Sequence, residues 1–322
     1  MIQLKPSTLA LALSLFVSST LAEDGELSSS LVGCNEVSCP KECLNDRCTV
    51  KDNTFLGIGL SRIPDVSSSL EGFSLVKGVK VSAALAGKDN DKATRPFKSF
   101  YYLGTPSDVE TKDLSDCVVL FHDAPSKKFD GPESEGNYNG TDVRAASGTC
   151  SDVIDKTCIE KLTEKATKLV VEANGNVCTT LERELKKTSL DECNGFAGKG
   201  SNLGNFVKSF DGLNAVKNSS GCWPIQPKSD QLVEIANFTA LKNYSAQALI
   251  DEAYKITPVL TVFARNGNGS LVNQTTSQLT CLKVVTEDDP SDDQNGSENT
   301  AVAIRASGFA GIVVLARIFA LL

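Results

Sequence analysis

The fold of this chain is decided by residues 151–193, SDVIDKTCIEKLTEKATKLVVEANGNVCTTLERELKKTSLDEC. Apolar residues recur there every three or four positions, which is the spacing of one face of an α-helix. The segment is interrupted at Asn174, Gly175 and Asn176, and glycine readily adopts the left-handed conformation that ends a helix. The sequence therefore predicts a helical hairpin over residues 151–190, with Ser151 as its first N-cap. The apolar positions are Ile154, Cys158, Leu162, Ala166, Leu169 and Val170 in the first helix, then Cys178, Leu181 and Leu185 in the second.

Two cysteines of this hairpin are expected to form a disulfide. If its arms fold antiparallel about Gly175, residues equally far from that turn face each other, because both arms rise equally per residue. Cys158 and Cys193 meet this condition, and we predict a bond between them. Cys150 lies beyond the reach of the second arm, so its partner is expected among the β-strands.

The rest of the chain has mainly the pattern of β-strands. Apolar and polar residues alternate over residues 56–60 and 73–85, where Lys77 is an exception, and this alternation is typical of antiparallel sheets with one solvated face. Further strands are predicted in residues 99–104, 117–122, 258–264 and 278–285, and a short helix near Ser245; residues 193–222 predict mostly a loop. We therefore predict an α+β fold, in which antiparallel strands flank a disulfide-tied helical hairpin, with a small N-terminal cysteine-rich cap.

The eleven cysteines indicate an oxidising compartment, in which most of them form disulfides. Because their number is odd, one is expected to be free or to pair between chains. Zinc sites usually have more closely spaced pairs of reduced cysteines, so the cluster at residues 34–48 favours disulfides over a metal. Trp223, beside a cysteine, is expected to pack on a disulfide. Apart from Cys158 and Cys193, the cysteines are Cys34, Cys39, Cys43, Cys48, Cys117, Cys150, Cys178, Cys222 and Cys281.

Both ends of the chain have the pattern of processing signals. Residues 1–22 combine the cation Lys5, a short apolar stretch and a terminal small residue, as secretory signal peptides do. Near the other end, a triplet of small residues at 295–297 precedes a spacer and the apolar residues 308–322, as in signals for a glycosylphosphatidylinositol (GPI) anchor. A spanning helix explains this tail less well, because Arg317 would lie inside the membrane. We expect attachment at Asn295, or else at Asn299, and removal of residues 298–322.

The expected mature chain has three parts: a cysteine-rich cap over residues 23–53, an α+β ectodomain over residues 54–286 and an acidic tether over residues 287–297. The formal net charge of -8 disfavours nucleic acid as a partner. The expected partners are the outer leaflet of the membrane, through the GPI lipid, and a cell-wall glycan or extracellular protein. Sequons for N-glycosylation begin at Asn139, Asn218, Asn237, Asn243, Asn268 and Asn273, and also at Asn295, where use as the anchor site would exclude a glycan.

Few residues point to catalysis. His122 is the single histidine, and its place at the end of an apolar segment favours a structural role over that of a general base. No nucleophile elbow, zinc-protease motif or nucleotide-binding loop occurs, and no cofactor is expected. Paired carboxylates remain available among the acidic residues, so a wall-remodelling glycoside hydrolase or transglycosylase is the alternative to a protein without enzymatic activity.

Several stretches together resemble a known group of proteins. They are SFYYLGTPSDVE, CVVLFHDAP, ASGTCSDVIDKTC, NSSGCWPIQPKSDQL, ITPVLTVFARNGNGSLV and SQLTCLKVV. In this order they are similar to cysteine-rich, GPI-anchored proteins of filamentous ascomycete fungi, whose activity is uncharacterised. The resemblance covers most of residues 99–285 and implies a fungal cell-surface or cell-wall glycoprotein, without implying any catalytic residue.

Overall fold

The computed structural model describes residues 31–34, 36–37, 49–64, 66, 68–87, 93–109, 114, 116–122, 148–193, 197–198, 205–217, 223–265 and 272–286. In these ranges the chain forms three antiparallel sheets and three α-helices. The strands are β1 (Thr49–Val50), β2 (Asn53–Thr54), β3 (Gly57–Arg62), β4 (Ser74–Val81), β5 (Thr94–Thr105), β6 (Cys117–Phe121), β7 (Asn205–Ser209), β8 (Asn214–Ala215), β9 (Gln231–Asn243), β10 (Thr257–Phe263) and β11 (Thr276–Leu282). The helices are α1 (Lys156–Val171), α2 (Val177–Lys187) and α3 (Ala246–Ala253).

Two stacked sheets form the centre of the molecule. One has the strand order β11-β10-β6-β7 and the other the order β3-β4-β5-β9-β8, while β1 and β2 make a separate two-stranded ribbon. Side chains from the facing sides of both larger sheets form one buried cluster, with Leu75 and Tyr101 from one sheet and Leu120 and Val259 from the other. The mixed α+β class predicted from the sequence is therefore present.

The helical hairpin lies on the other face of the four-stranded sheet. Leu162 of α1 and Leu181 of α2 are fully buried in a cluster that includes Val119 and Leu260 of that sheet. Burial of each such leucine contributes about 1.5–3 kcal/mol. Strands flank the hairpin along the sequence, as predicted, but in space it covers one face of one sheet, and the two sheets pack directly on each other.

Three disulfides connect the hairpin to itself and to this sheet. The predicted bond between Cys158 and Cys193 is present and closes the hairpin. Cys150, just before α1, is bonded to Cys281 of β11, which confirms that its partner lies among the strands. A third bond joins Cys117 of β6 to Cys178 of α2. The hairpin is thus attached to two different strands of the four-stranded sheet.

The first helix begins later than the sequence predicted. Ser151 lies in a short 3₁₀ turn, Cys150–Asp152, whose Asp152 carboxylate accepts hydrogen bonds from the N–H groups of Gly148 (2.8 Å) and Thr149 (3.0 Å). The N-cap of α1 is Asp155, whose carboxylate accepts from the N–H of Thr157 at 2.7 Å. The prediction of Ser151 was wrong because these side-chain bonds hold a separate turn ahead of the helix.

The second face of the five-stranded sheet is also covered over much of its area. Ile58, Phe100 and Leu232 of this face pack in one cluster with Val37 and Trp223. Additional contacts hold this covering layer: Lys228 Nζ donates to the backbone oxygens of Val37 and of Trp223, the latter at 2.6 Å. Trp223 lies in the same cluster as Cys34, a disulfide-bonded residue of the predicted cap.

One prediction about the strands was wrong, and several strands were missed. The alternation in residues 56–60 and 73–85 was expected to leave one face of their sheet solvated. Instead, β3 is buried from Gly57 to Ser61 and β4 from Ser74 to Val79, because the four-stranded sheet packs on one side and the layer with Trp223 on the other. Residues 193–222, predicted to be mostly loop, also contain the short strands β7 and β8, which the sequence analysis did not identify. The long strand β9 was also missed, because a bulge opposite the Tyr101–Tyr102 step interrupts its register and its last seven residues are largely exposed.

Gly59 makes the close approach of the two sheets possible. Residues 283–286, which follow β11, cross β3, and Val285 N donates to Ile58 O at 2.8 Å. A Cβ atom built on Gly59 would lie 1.7 Å from the backbone oxygen of Lys283. Because the backbone fixes the position of a Cβ and the oxygen is itself a backbone atom, no side-chain rotation relieves the overlap.

We predict that Gly59→Ala lowers the free energy of unfolding by at least about 3 kcal/mol, since the crossing backbone must move. Gly212→Ala is the control, because a Cβ there has nothing within 4 Å. Urea unfolding of both variants measures the difference. Equal stabilities of the two variants would contradict this account of the sheet junction.

Candidate functional site

In the described residues, a group of polar side chains is hydrogen-bonded between the two stacked sheets. Tyr101 Oη is 3.0 Å from His122 Nδ1 and 3.0 Å from Thr257 Oγ1. Lys77 Nζ donates to Thr257 Oγ1 at 3.1 Å and to the backbone oxygen of Lys255. We call Lys77, Tyr101, His122 and Thr257 the buried polar network.

Strand register explains why these residues meet. Lys77 of β4 is paired with Tyr101 of β5, and both side chains point to the inner face of the five-stranded sheet. In the other sheet, the register that pairs Leu120 with Val259 continues to place His122 beside Thr257. The network therefore joins the end of β6 and the start of β10 to the middle of β4 and β5.

Burial controls the charge state of the lysine. The pKa of Lys77 is lowered to about 7, mainly because its side chain is fully buried. Repulsion by Lys255 contributes to the shift, and Glu252 opposes it. A lysine in this environment gives up its proton far more readily than one on the surface. Its nitrogen nevertheless has two oxygen partners, so it is satisfied within the core.

His122 is held in its neutral form. Burial lowers its pKa to about 3, with contributions from the positive charges of Lys255, Lys77 and Lys242. Its ring stacks on Phe238 with centroids 4.2 Å apart and an interplanar angle of 12°. An imidazole of such low basicity, occupied by Tyr101 and Phe238, is poorly suited to act as a general base near neutral pH.

Two acidic residues with raised pKa lie in different layers. Burial raises the pKa of Asp116 to about 7, although the N–H of Ala264 donates to its carboxylate at 2.7 Å. Burial also raises the pKa of Asp230, whose backbone oxygen accepts from Trp223 Nε1 at 3.1 Å. Ala264 belongs to the cluster under the helices and Trp223 to the cluster on the far side of the molecule. These two acids therefore do not form the close pair that a glycosidase needs.

The cysteines and sequons predicted from the sequence are only partly within the described residues. Every described cysteine is oxidised: the six in the three disulfides around the hairpin, and Cys34. Asn237, Asn243 and Asn273 are exposed, as glycan acceptors must be. The remaining predicted residues lie outside the described part of the chain; they are Cys39, Cys43, Cys48, Cys222, Asn139, Asn218, Asn268, Asn295 and Asn299.

The described residues contain no group of three or more His, Cys, Asp or Glu side chains placed to hold a metal ion. Within the same ranges, none of the helices has the length and apolar character needed to cross a membrane. No protein-family model matches the chain, and no curated protein or solved structure matches it significantly.

Sequence analysis identified only His122 of the buried polar network. One signal was available: Lys77 occupies an apolar position in the alternation between Leu75 and Val79, which places its amine on a core face. Tyr101 and Thr257 gave no such signal. In the sequence they look like ordinary strand residues, because only the stacking of the two sheets brings them together.

We predict that Lys77 makes stability depend on pH above neutrality. Because its folded-state pKa is about 7 and its ordinary value 10.5, the unfolded chain binds a proton that the folded chain lacks in this window, and stability falls as pH falls. From about pH 7 to about pH 9 the gain is on the order of 2 kcal/mol. Lys77→Met should remove it and Lys168→Met, an exposed control, should not. An unchanged slope in Lys77→Met, measured by urea unfolding, would rule the assignment out.

Below neutrality, His122 and Asp116 act in opposite directions. The pKa of His122 is lowered from 6.5 to about 3, so its contribution to stability is lost as pH falls through this range. The pKa of Asp116 is raised from 3.8 to about 7, so its contribution is lost as pH rises. We predict that His122→Asn is more stable at pH 4 than at pH 6.5, and that Asp116→Asn shows the reverse trend. Denaturant titrations at several pH values measure the stability of both variants. The same pH dependence in both would contradict the prediction that His122 and Asp116 act in opposite directions.

Proposed function

We propose that the protein is a secreted, N-glycosylated glycoprotein that a GPI lipid holds at the outer face of the plasma membrane or in the cell wall. In this proposal it has no enzymatic activity and serves a structural, adhesive or host-contact role. The presence of disulfides in the folded core is the observation that carries the extracellular assignment. Disulfides of this kind persist in oxidising compartments and are rare in the cytosol.

The disulfides support this location by their positions as well as by their number. The bond between Cys150 and Cys281 closes a loop with a sequence separation of 131, and that between Cys117 and Cys178 one of 61. In the chain-entropy model, closing loops of this length stabilises a fold by about 4–5 kcal/mol each. A reducing compartment would remove this stabilisation from the attachment of the hairpin.

The surface and the termini support the remaining parts of the proposal. The side chains of Asn237, Asn243 and Asn273 are exposed and can carry sugars. Residues 1–22 and 295–322 have the patterns of a signal peptide and of a GPI signal. The resemblance to GPI-anchored fungal surface proteins agrees with both and adds the cell wall as a destination.

We propose that the protein is not an enzyme because of the burial, the partners and the positions of the residues best suited to catalysis. His122 is neutral, buried and hydrogen-bonded to Tyr101, and Lys77 is fully buried with oxygen partners. Asp116 and Asp230 lie in different layers. These groups form hydrogen bonds with one another or with the backbone, and in this proposal their role is to stabilise the core.

The anchor is tested on intact cells that express the full chain. Phosphatidylinositol-specific phospholipase C cleaves the GPI lipid and should release the protein into the medium, where mass spectrometry should find no peptide from residues 312–322. A variant with Lys in place of Asn295 and Asn299 should not acquire the anchor, because the attachment site requires small residues. Retention of the C-terminal peptides on the wild-type protein would overturn the GPI assignment.

The released ectodomain then tests the role. We expect it to bind a cell-wall polysaccharide or an extracellular protein without producing new reducing ends from any wall polymer. Production of reducing ends, lost on replacing a single acidic residue by its amide, would instead establish the hydrolase or transglycosylase.

A further inference from the structure

In the described part of the chain, one edge of strand β9 is unpaired over much of its length. In the five-stranded sheet, β5 pairs with one side of β9 along its whole length, whereas β8 pairs on the other side only with Glu234 and Val233. Among the described residues, no strand pairs with the outer side of β9 from Asn237 to Asn243. This run is therefore a sheet edge on which further backbone pairing is possible.

The register identifies the backbone groups that point outward. Tyr244 N donates to Ala93 O at 2.8 Å, so this opposed pair is a hydrogen-bonded one. Along an antiparallel ladder, hydrogen-bonded pairs alternate with non-hydrogen-bonded pairs. Leu241 is three residues before Tyr244, so its pair with Pro96, which has no N–H, is a non-hydrogen-bonded one. By the same alternation the N–H and C=O groups of four residues point away from β5: Asn237, Thr239, Leu241 and Asn243.

This edge has properties that favour self-association. Leu241 is 59% exposed, and two more large apolar side chains near this end of the sheet are exposed, Leu85 at 51% and Tyr244 at 55%. An exposed strand edge beside apolar side chains is a template for pairing with another chain. The same strand in a second copy offers a partner with the same pattern of donors and acceptors.

Two predicted glycan acceptors stand at the two ends of this run. Asn237 and Asn243 are an even number of residues apart, so their side chains leave the same face of β9, with Leu241 between them. At about 3.4 Å per residue they are about 20 Å apart. Asn237 Nδ2 donates to Glu234 Oε1 at 2.8 Å, and an N-linked sugar replaces only one of the two amide hydrogens, so this bond is compatible with glycosylation.

We propose that N-linked oligosaccharides on Asn237 and Asn243 cover the open edge of β9 and keep it from pairing with β9 of a second copy. This rests on the proposed function as a secreted glycoprotein. Each asparagine Nδ2 forms a bond to the anomeric carbon of a lipid-pyrophosphate-linked oligosaccharide; the bond from that carbon to the pyrophosphate breaks, and Nδ2 loses one proton. Because the sugars are attached beside the edge, their effective concentration there exceeds that of any free chain.

The position of the third described acceptor provides a matched control. Asn273 precedes β11, at the end of the β10–β11 hairpin where Thr276 is paired with Phe263. His122, which stacks on Phe238 of β9, lies by the same register at the opposite end of that hairpin, near Thr257. A glycan on Asn273 is therefore expected to be far from the open edge.

The test compares Asn237→Gln/Asn243→Gln with Asn273→Gln, all secreted from the same cells and studied by analytical ultracentrifugation over a range of concentrations. We expect the double variant to self-associate at least about tenfold more tightly than the wild type, and Asn273→Gln to remain like the wild type. Adding Leu241→Lys to the double variant should restore the monomer, because a charged side chain on an edge opposes pairing. Wild-type protein trimmed to one sugar per site by an endoglycosidase should associate as the double variant does, and it provides the test if the double variant does not fold.

Two results would overturn the proposal: unoccupied Asn237 and Asn243 in the wild-type protein, measured by glycopeptide mass spectrometry, or a double variant and trimmed wild type that both remain monomeric. If these two sites are unoccupied while other sequons carry sugar, the edge proposal fails alone. If every sequon is unoccupied, the proposed function as a glycoprotein fails with it.

Discussion

The attachment of the helical hairpin to the four-stranded sheet is the constraint on which the rest of the structure depends. The disulfides of Cys117 and Cys150 connect α2 and the turn before α1 to different strands, so the hairpin covers one face of that sheet. The opposite face packs on the five-stranded sheet. A sheet buried on both faces has no side on which water can solvate a polar group.

The buried polar network is a consequence of this arrangement. Thr257 and His122 lie on the inner face of a sheet that is already covered outside, and Lys77 and Tyr101 face them from the second sheet. Each of these groups requires a hydrogen-bond partner, because an unpaired polar group in such a place costs about 1–3 kcal/mol. The network provides the partners, and the shifted pKa values of Lys77 and His122 record how far it is from water. In the proposed function, this network stabilises the fold, and contacts with other molecules are made at the surface.

At the surface, the described residues leave part of β9 without a neighbouring strand on one side. The five-stranded sheet closes against residues 283–286 at its β3 side, where Val285 donates to Ile58. On its other side, β8 pairs with only two residues of β9, and no other described strand pairs there. Asn237 and Asn243 lie on the part of β9 without such a partner.

The sequence by itself determined the elements that depend on local chemistry. The helical spacing of apolar residues, such as those around Leu162 and around Leu181, predicted the hairpin. Equal distances from Gly175 predicted the bond between Cys158 and Cys193, and alternation predicted β3 and β4. The expectation of a solvated face failed, because alternation reports only that neighbouring positions differ and not what packs on the second side. Only the tertiary structure decided that Lys77 would meet Thr257, which is 180 residues away, and that Asn237 would stand on an open edge. Such pairings depend on which sheet faces which and where a neighbouring strand ends, and these are properties of the folded chain that no local pattern contains.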